Sequence, residues 1–176
     1  MSVNSLPTRI QNDEIVPIPL ERESYFYRHS TVKFTFELKN VDNIIIKHSA
    51  CGMLFLSDKR LMFISDDLNE KFQTFHIKLA DIVSSVRSAS INFFRNNNNV
   101  FSVTNKLRNG AVVNMAIEYD PEDQEDKRIF EDYYGMLITW TSKIPPVTAK
   151  NKYFSFKKQT PDQFEQYEPP PPPYST

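Results

Sequence analysis

The stretch VFSVTNKLRNGAVVNMAIEYD, residues 100–120, constrains the fold more than any other part of this chain. Two alternating runs flank Asn109-Gly110, and Val113, Met115, Ile117 and Tyr119 fall on one face. Alternation of period two places successive side chains on opposite faces of a pleated strand. Asn-Gly between such runs suits a two-residue type I′ turn, whose central residues both need positive φ. The segment therefore predicts an antiparallel hairpin. Immediately after it the period changes. Asp120-Pro121 reads as an N-cap followed by proline at the first helical position. Glu122, Asp123, Glu125 and Asp126 favour the positive end of a helix. Ile129, Tyr133 and Leu137 recur at intervals of four, with Phe130, Tyr134 and Ile138 beside them. That is one wide apolar stripe, which needs a sheet to dock on. Gly135 weakens the helix slightly or allows close approach, and Pro145-Pro146 ends the helix.

The chain ahead of the hairpin supplies that sheet. In VKFTFEL, Val32, Phe34, Phe36 and Leu38 face one way, with Lys33, Thr35 and Glu37 opposite. Ile44–Lys47 and Met53–Leu56 read as strands, and Gly52 allows a bend or bulge between them. Leu56–Leu61 is a polar turn, and Leu61–Ser65 is its return strand. In FQTFHIKL, Phe75, Ile77 and Leu79 share a face. Asn96–Asn99 reads as a loop tip, because asparagine tolerates left-handed backbone. None of the 12 prolines lies between Leu20 and Tyr119, which marks the folded body. The organisation expected is a flexible N-terminus over 1–14, a β-rich domain over 15–143 and a proline-rich tail over 144–176.

Composition limits function more than fold. A net charge of −1 and a pI near 6.3 give no overall pull toward nucleic acid. The single cysteine, Cys51, rules out an intrachain disulfide. The N-terminal sequence lacks the apolar stretch of a secretory signal, so cytoplasm or nucleus is the expected location.

The tail ends YEPPPPPYST. Polyproline adopts the left-handed PPII helix unaided, and an aromatic groove takes it at small ordering cost. Pro171-Pro172-Pro173-Tyr174 reads as PPxY: the prolines fill an aromatic slot, and the tyrosine ring supplies a second anchor. Glu165 and Glu168 make the flank acidic, which favours a groove with a basic rim. PPxY is the motif that WW domains bind. The plainer alternative is a solubilising tail with an incidental tyrosine.

GMLFLSDKRLMFIS, residues 52–65, resembles the signature of GRAM domains: a glycine, a strand, a polar turn with a basic residue and an apolar return strand. VPIPLERESYFYR (16–28) and FQTFHIKLADI (72–82) are similar to its flanking segments. Together with the terminal PPxY, the chain resembles the WW-domain-binding protein 2 family. The resemblance implies a pleckstrin-homology-like fold, a bent seven-stranded antiparallel sheet or partial barrel capped by a C-terminal helix. It also implies an adaptor that recruits WW-domain proteins such as HECT-type ubiquitin ligases. Chromatin-associated transcription factors and a coactivator role are further implied partners and activity. The single PPxY copy and the asparagine run depart from the family pattern.

GRAM domains as a class also suggest phosphoinositide binding, which makes a peripheral membrane module the alternative. Its candidate contacts are Lys59 and Arg60, although no dense basic loop surrounds them and solvated turn charges explain them as well. His29, His48 and His76 lie in separate strand-like segments, with no ligand spacing to Cys51. His76 is expected to be exposed and Cys51 to be a small buried residue. The acids at Glu122–Asp126 suit a helix start better than acid–base work. No enzyme, metal or cofactor is expected.

Overall fold

A computed structural model describes residues 1–67, 69, 71–87 and 99–143. Among them the strands are β1 (Ser2–Val3), β2 (Thr8–Gln11), β3 (Glu14–Pro17), β4 (Tyr25–Lys39), β5 (Ile45–Ser57), β6 (Arg60–Ser65), β7 (Thr74–Lys78), β8 (Ile82–Arg87), β9 (Val100–Leu107) and β10 (Val112–Glu118). The helix α1 spans Gln124–Lys143. The main sheet runs β1-β7-β6-β5-β4-β10-β9-β8, and β2 and β3 form a separate hairpin. Every pairing is antiparallel. Strands β4–β7 form one meander and β8–β10 another, and the β4–β10 pairing joins them. A C-terminal helix then closes the body. This is the pleckstrin-homology-like architecture.

The inner face of the sheet is aromatic. Phe34, Phe36, Phe63, Phe72 and Phe75 lie within ring-contact distance of one another. A second aromatic group lies under the helix. Phe130 sits edge-on to Tyr27 and Phe101 and stacks on Tyr134. The apolar stripe of α1 delivers Phe130, Tyr134 and Leu137 to the core, with Ile129, Tyr133 and Ile138 at its margins.

The second half of β5, from Leu54, and all of β6 are buried on both faces. Leu54, Phe55 and Leu56 are all buried, as are Leu61 through Ile64. Phe55, Met62 and Ile64 form an outer cluster with Leu6, packed by Ile15 of β3. Two-sided burial explains why MLFL and LMFI read as unbroken apolar runs and not as alternation. The N-terminal segment supplies the outer cover. Residues 1–14, expected to be flexible, carry β1 and β2. Asn4, at φ 54°, accepts hydrogen bonds from the backbone N–H groups of Gln73 and Thr74, at 2.8 and 3.2 Å.

Three local expectations are corrected. First, β5 runs unbroken from Ile45 to Ser57, and the register shifts lie in β4, between Tyr25 and Tyr27 and between His29 and Val32. Gly52 is needed for close approach: a Cβ there would lie 2.1 Å from the Ile64 carbonyl oxygen. Second, Asn109-Gly110 does not form a type I′ turn. Gly110 N–H donates to Leu107 O, Leu107 N–H donates to Ala111 O, and of the pair only Gly110 has positive φ, +85°. This is a three-residue loop with a left-handed third residue. The two-residue turn with both φ positive is Asn12-Asp13, between β2 and β3. Third, the helix starts later than Asp120-Pro121. Asp120 O and Oδ1 accept from Asp123 N–H and Glu122 N–H, closing a turn, and Asp123 O accepts the first helical bond, from Lys127. The Asn96–Asn99 loop tip lies outside the described residues except for Asn99. Pro145-Pro146 lies outside them altogether.

Candidate functional site

Strand β5 extends roughly 40 Å at the usual rise per residue, and its two ends differ in chemistry. At the Ser57 end lie the two cations considered for lipid contact, Lys59 partly exposed and Arg60 buried. Arg60 is 3% exposed and Glu23 is 0% exposed at the side chain. The guanidinium binds Glu23 in a fork, Nε to Oε1 at 2.7 Å and an Nη to Oε2 at 2.8 Å. The same Nη donates to Ile18 O at 2.6 Å. Glu23 also accepts from Ser57 Oγ at 2.6 Å and from Leu20 N–H at 2.7 Å. Burial alone would raise the Glu23 carboxyl, but the hydrogen bonds from Arg60, Ser57 and Leu20 outweigh it and hold it below the usual carboxylate range. Burial likewise opposes the Arg60 charge, and the bond to Glu23 more than restores it. Arg60 is thus no solvated turn charge. It clamps the 18–23 segment onto the β5–β6 turn. The Lys59 ammonium donates to Glu21 O.

Two further expectations change. His76 is half-buried where β1 pairs with β7, and its Nδ1 is buried without a partner. Burial, then the nearby Arg60 charge, lowers its pKa. Cys51 is exposed, because it lies opposite Lys33 on the outward face of the β4–β5 ladder.

The fold also brings together groups that lie far apart in sequence. His29 Nε2 lies 3.4 Å from Asp123 Oδ2 and 3.9 Å from Asp126 Oδ2. Nitrogen and carboxylate atoms within 4.8 Å of one another form a set that a metal ion can use. The ring's other nitrogen is engaged as an acceptor. Thr31 N–H donates to His29 Nδ1 at 3.2 Å. The neutral ring then carries its proton on Nε2 and presents N–H, not a lone pair, to Asp123. The trio fastens β4 to the start of α1, beside the ring of Tyr119.

At the other end of β5 the chemistry is apolar. Asn40 N–H donates to Ile44 O and Asn43 N–H to Asn40 O, with Asn43 at φ 61°. The β4–β5 connection is therefore a three-residue loop, Val41-Asp42-Asn43, of the same kind as Arg108-Asn109-Gly110. The two loops adjoin: a Cβ on Gly110 would lie 3.5 Å from Val41 Cγ2. Val41 is 70% exposed, Ile44 56%, Ile45 59% and Ile46 41%. The sequence pattern gives only a strand here, because alternation cannot reveal that a strand outruns its neighbour. β6 pairs with β5 from Gly52 onward, so Ile45–Cys51 has no ladder partner on that side among the described residues.

The PPxY residues, Pro171, Pro172, Pro173 and Tyr174, lie outside the described residues. No described helix is long and apolar enough to cross a membrane.

No family model matches the sequence. No curated protein matches it either. Among solved structures, the chain is similar to Vav1 inhibited by an allosteric inhibitor, at 14% identity and a TM-score of 0.41, over 65% of this chain and 26% of that one. The chain thus spans about a quarter of the length of the Vav1 chain. It is also similar to the pleckstrin homology domain of ArhGAP27, at 16% identity and a TM-score of 0.38, over 65% of this chain and 98% of that one.

Proposed function

We propose that this chain is a non-enzymatic adaptor of the WW-domain-binding protein 2 type. Its PPxY motif docks on WW domains, and its pleckstrin-homology-like body carries a second contact. The observation that carries this reading is Pro171-Pro172-Pro173-Tyr174, preceded by Pro169-Pro170 in one uninterrupted proline run. Five prolines preset the PPII geometry, so the ordering cost is small. The tyrosine then fills a second pocket with a large ring and a hydroxyl. HECT-type ubiquitin ligases and WW-containing transcriptional regulators are the partner classes, in cytoplasm or nucleus.

The polar groups of the body support a non-catalytic role. The Arg60–Glu23 fork holds two segments together, and His29 is turned as a donor toward a helix start.

The test is binding of the full chain and of its Tyr174→Ala variant to a panel of WW domains. Wild type should bind a subset, and the variant should bind at least about thirtyfold more weakly, the loss expected of an aromatic anchor. Equal binding by both proteins, or no binding by wild type across the panel, would reject the reading.

A further inference from the structure

We propose that the free edge of β8 and the groove between β8 and α1 dock an extended peptide of a partner protein, which joins the sheet as an antiparallel strand and carries an acid two residues before a large apolar residue. The site gives the body's second contact a chemistry. It uses no residue of the tail, so its failure leaves the PPxY reading untouched.

The first argument is the edge. β8 is the last strand of the main sheet, and among the described residues only β9 pairs with it. Its other side presents backbone N–H and C=O groups, the template on which a further strand forms. The ladder with β9 is regular from Ser84 to Arg87, so that template is straight. Edge strands that resist added partners carry charge or proline. β8 has one charge, Arg87 at its end, and two open valines, Val83 at 55% exposure and Val86 at 62%.

The second argument is the glycine of α1. Gly135 lies inside a 20-residue helix, where glycine is the poorest choice after proline. A Cβ there would meet nothing within 4 Å, and its φ is not positive. Neither packing nor backbone conformation therefore requires it. What the missing side chain leaves is space. A groove of about 270 Å³ runs between β8 and α1, and Ser85, Arg87, Phe101, Tyr134, Gly135 and Ile138 line it. Small-molecule pockets begin near about 300 Å³, so the groove suits a single inserted side chain.

Register and charge supply the third argument. Ser85 pairs with Asn105 and Arg87 with Val103, both buried, so Ser85 and Arg87 point to the α1 side. An added strand has one inward residue beside Ser85 and another beside Arg87, two positions apart. Ser85 is small and leaves the first of these over Phe101, Tyr134 and Ile138, where an apolar side chain is favoured. Arg87 reaches Glu131 at 2.5 Å, yet its side chain is 63% exposed and that of Glu131 only 15%. Lys106, exposed on the outer face opposite Ser84, adds a second cation beside the edge. The rim is thus positive toward an incoming strand, and an acid fits beside Arg87. In an antiparallel strand the residue beside Arg87 comes first, which gives the order acid, any residue, apolar.

The experiment titrates the full chain into a fluorescein-labelled probe, the amidated peptide Thr-Val-Glu-Thr-Leu-Thr-Val, and reads anisotropy. Binding should saturate, and amide exchange over residues 83–87 should slow when the probe is added. Two further probes carry backbone N-methyl groups on alternate residues, one on each set. One set should weaken binding at least about tenfold, and the other should leave it nearly unchanged, because a strand turns alternate N–H groups toward its neighbour. Gly135→Leu should weaken binding about tenfold or more by filling the groove. Leucine is the better helix former, so that loss does not reflect unfolding. Arg87→Gln should weaken the glutamate probe roughly threefold and leave a probe with glutamine in its place unchanged. Absence of saturable binding overturns the proposal, as does full binding by Gly135→Leu or an equal effect of the two N-methyl sets. Exchange over 83–87 that is already slow in the free chain also overturns it, because β8 then pairs with this chain or a second copy of it.

Discussion

Arg60 and Glu23 meet in a two-point ion pair from which solvent is almost wholly excluded, and that pair joins the segment before β4 to the turn between β5 and β6. A buried fork of this kind is costly to form and costlier to break, because removing one partner strands the other charge. Arg60→Ala should therefore destabilise the protein by about 3–5 kcal/mol, read from urea unfolding. The pair also sets an acid limit. Glu23 is held below the usual carboxylate range, so its contribution is complete above the unfolded value and fades as pH falls through the lowered one. The stability gap between wild type and Glu23→Gln should narrow below about pH 4. A gap constant with pH would show that the pair is not ionised in the native state.

Gly52 and Ile64 set a second test. An added Cβ would meet Ile64 O at 2.1 Å and Ser65 Cα at 2.8 Å, both backbone atoms that cannot turn aside. Gly52→Ala should cost about 3 kcal/mol or more, because β5 and β6 must separate. A thermal midpoint within a degree or so of wild type would mean that the ladder yields easily there.

Gly110 separates turn chemistry from packing. Its φ of +85° strains any residue with a Cβ, while the space around it is ordinary. Gly110→Ala should cost about 1 kcal/mol, and Gly110→Asn less, because asparagine tolerates left-handed backbone. Equal cost for both would point to a clash in place of backbone strain.

Tyr134 donates to Asn105 Oδ1 at 3.0 Å, and Asn105 is wholly buried with its Nδ2 unpartnered. Tyr134→Phe would leave that amide without a side-chain partner, at about 1–3 kcal/mol. Burial pushes the Tyr134 hydroxyl up to about 12. A phenol raised on folding stabilises the native state below its unfolded value, near 10, and loses that contribution as pH rises toward the raised one. Wild type should lose stability across that alkaline window more steeply than Tyr134→Phe. Burial also raises Tyr27 and Tyr119, so these rings should stay neutral until the protein unfolds.

Periodicity alone made much of the body legible. The alternation of Val32, Phe34 and Phe36 and of Phe75, Ile77 and Leu79 gives the inward faces of β4 and β7. The four-residue recurrence in α1 gives the docking stripe. These are local signals, because a side chain's face follows from its own strand or helix geometry. The doubly buried runs of β5 and β6 were legible as strands, but their outer cover was not. That cover comes from Leu6 and Ile15, which precede them by some forty residues and carry no periodic mark.

By itself, then, the sequence determined an antiparallel meander, a hairpin around Asn109-Gly110, a capping helix and a proline motif suited to an aromatic groove. Tertiary structure alone decided that Arg60 is buried against Glu23, that His29 meets Asp123 and Asp126, and that Ile44–Ile46 stand in the open. The physical reason is that burial and charge pairing depend on which distant segment arrives alongside. An isoleucine in a strand is core or surface according to whether a neighbouring strand reaches that far, and β6 ends at Ser65, opposite Gly52.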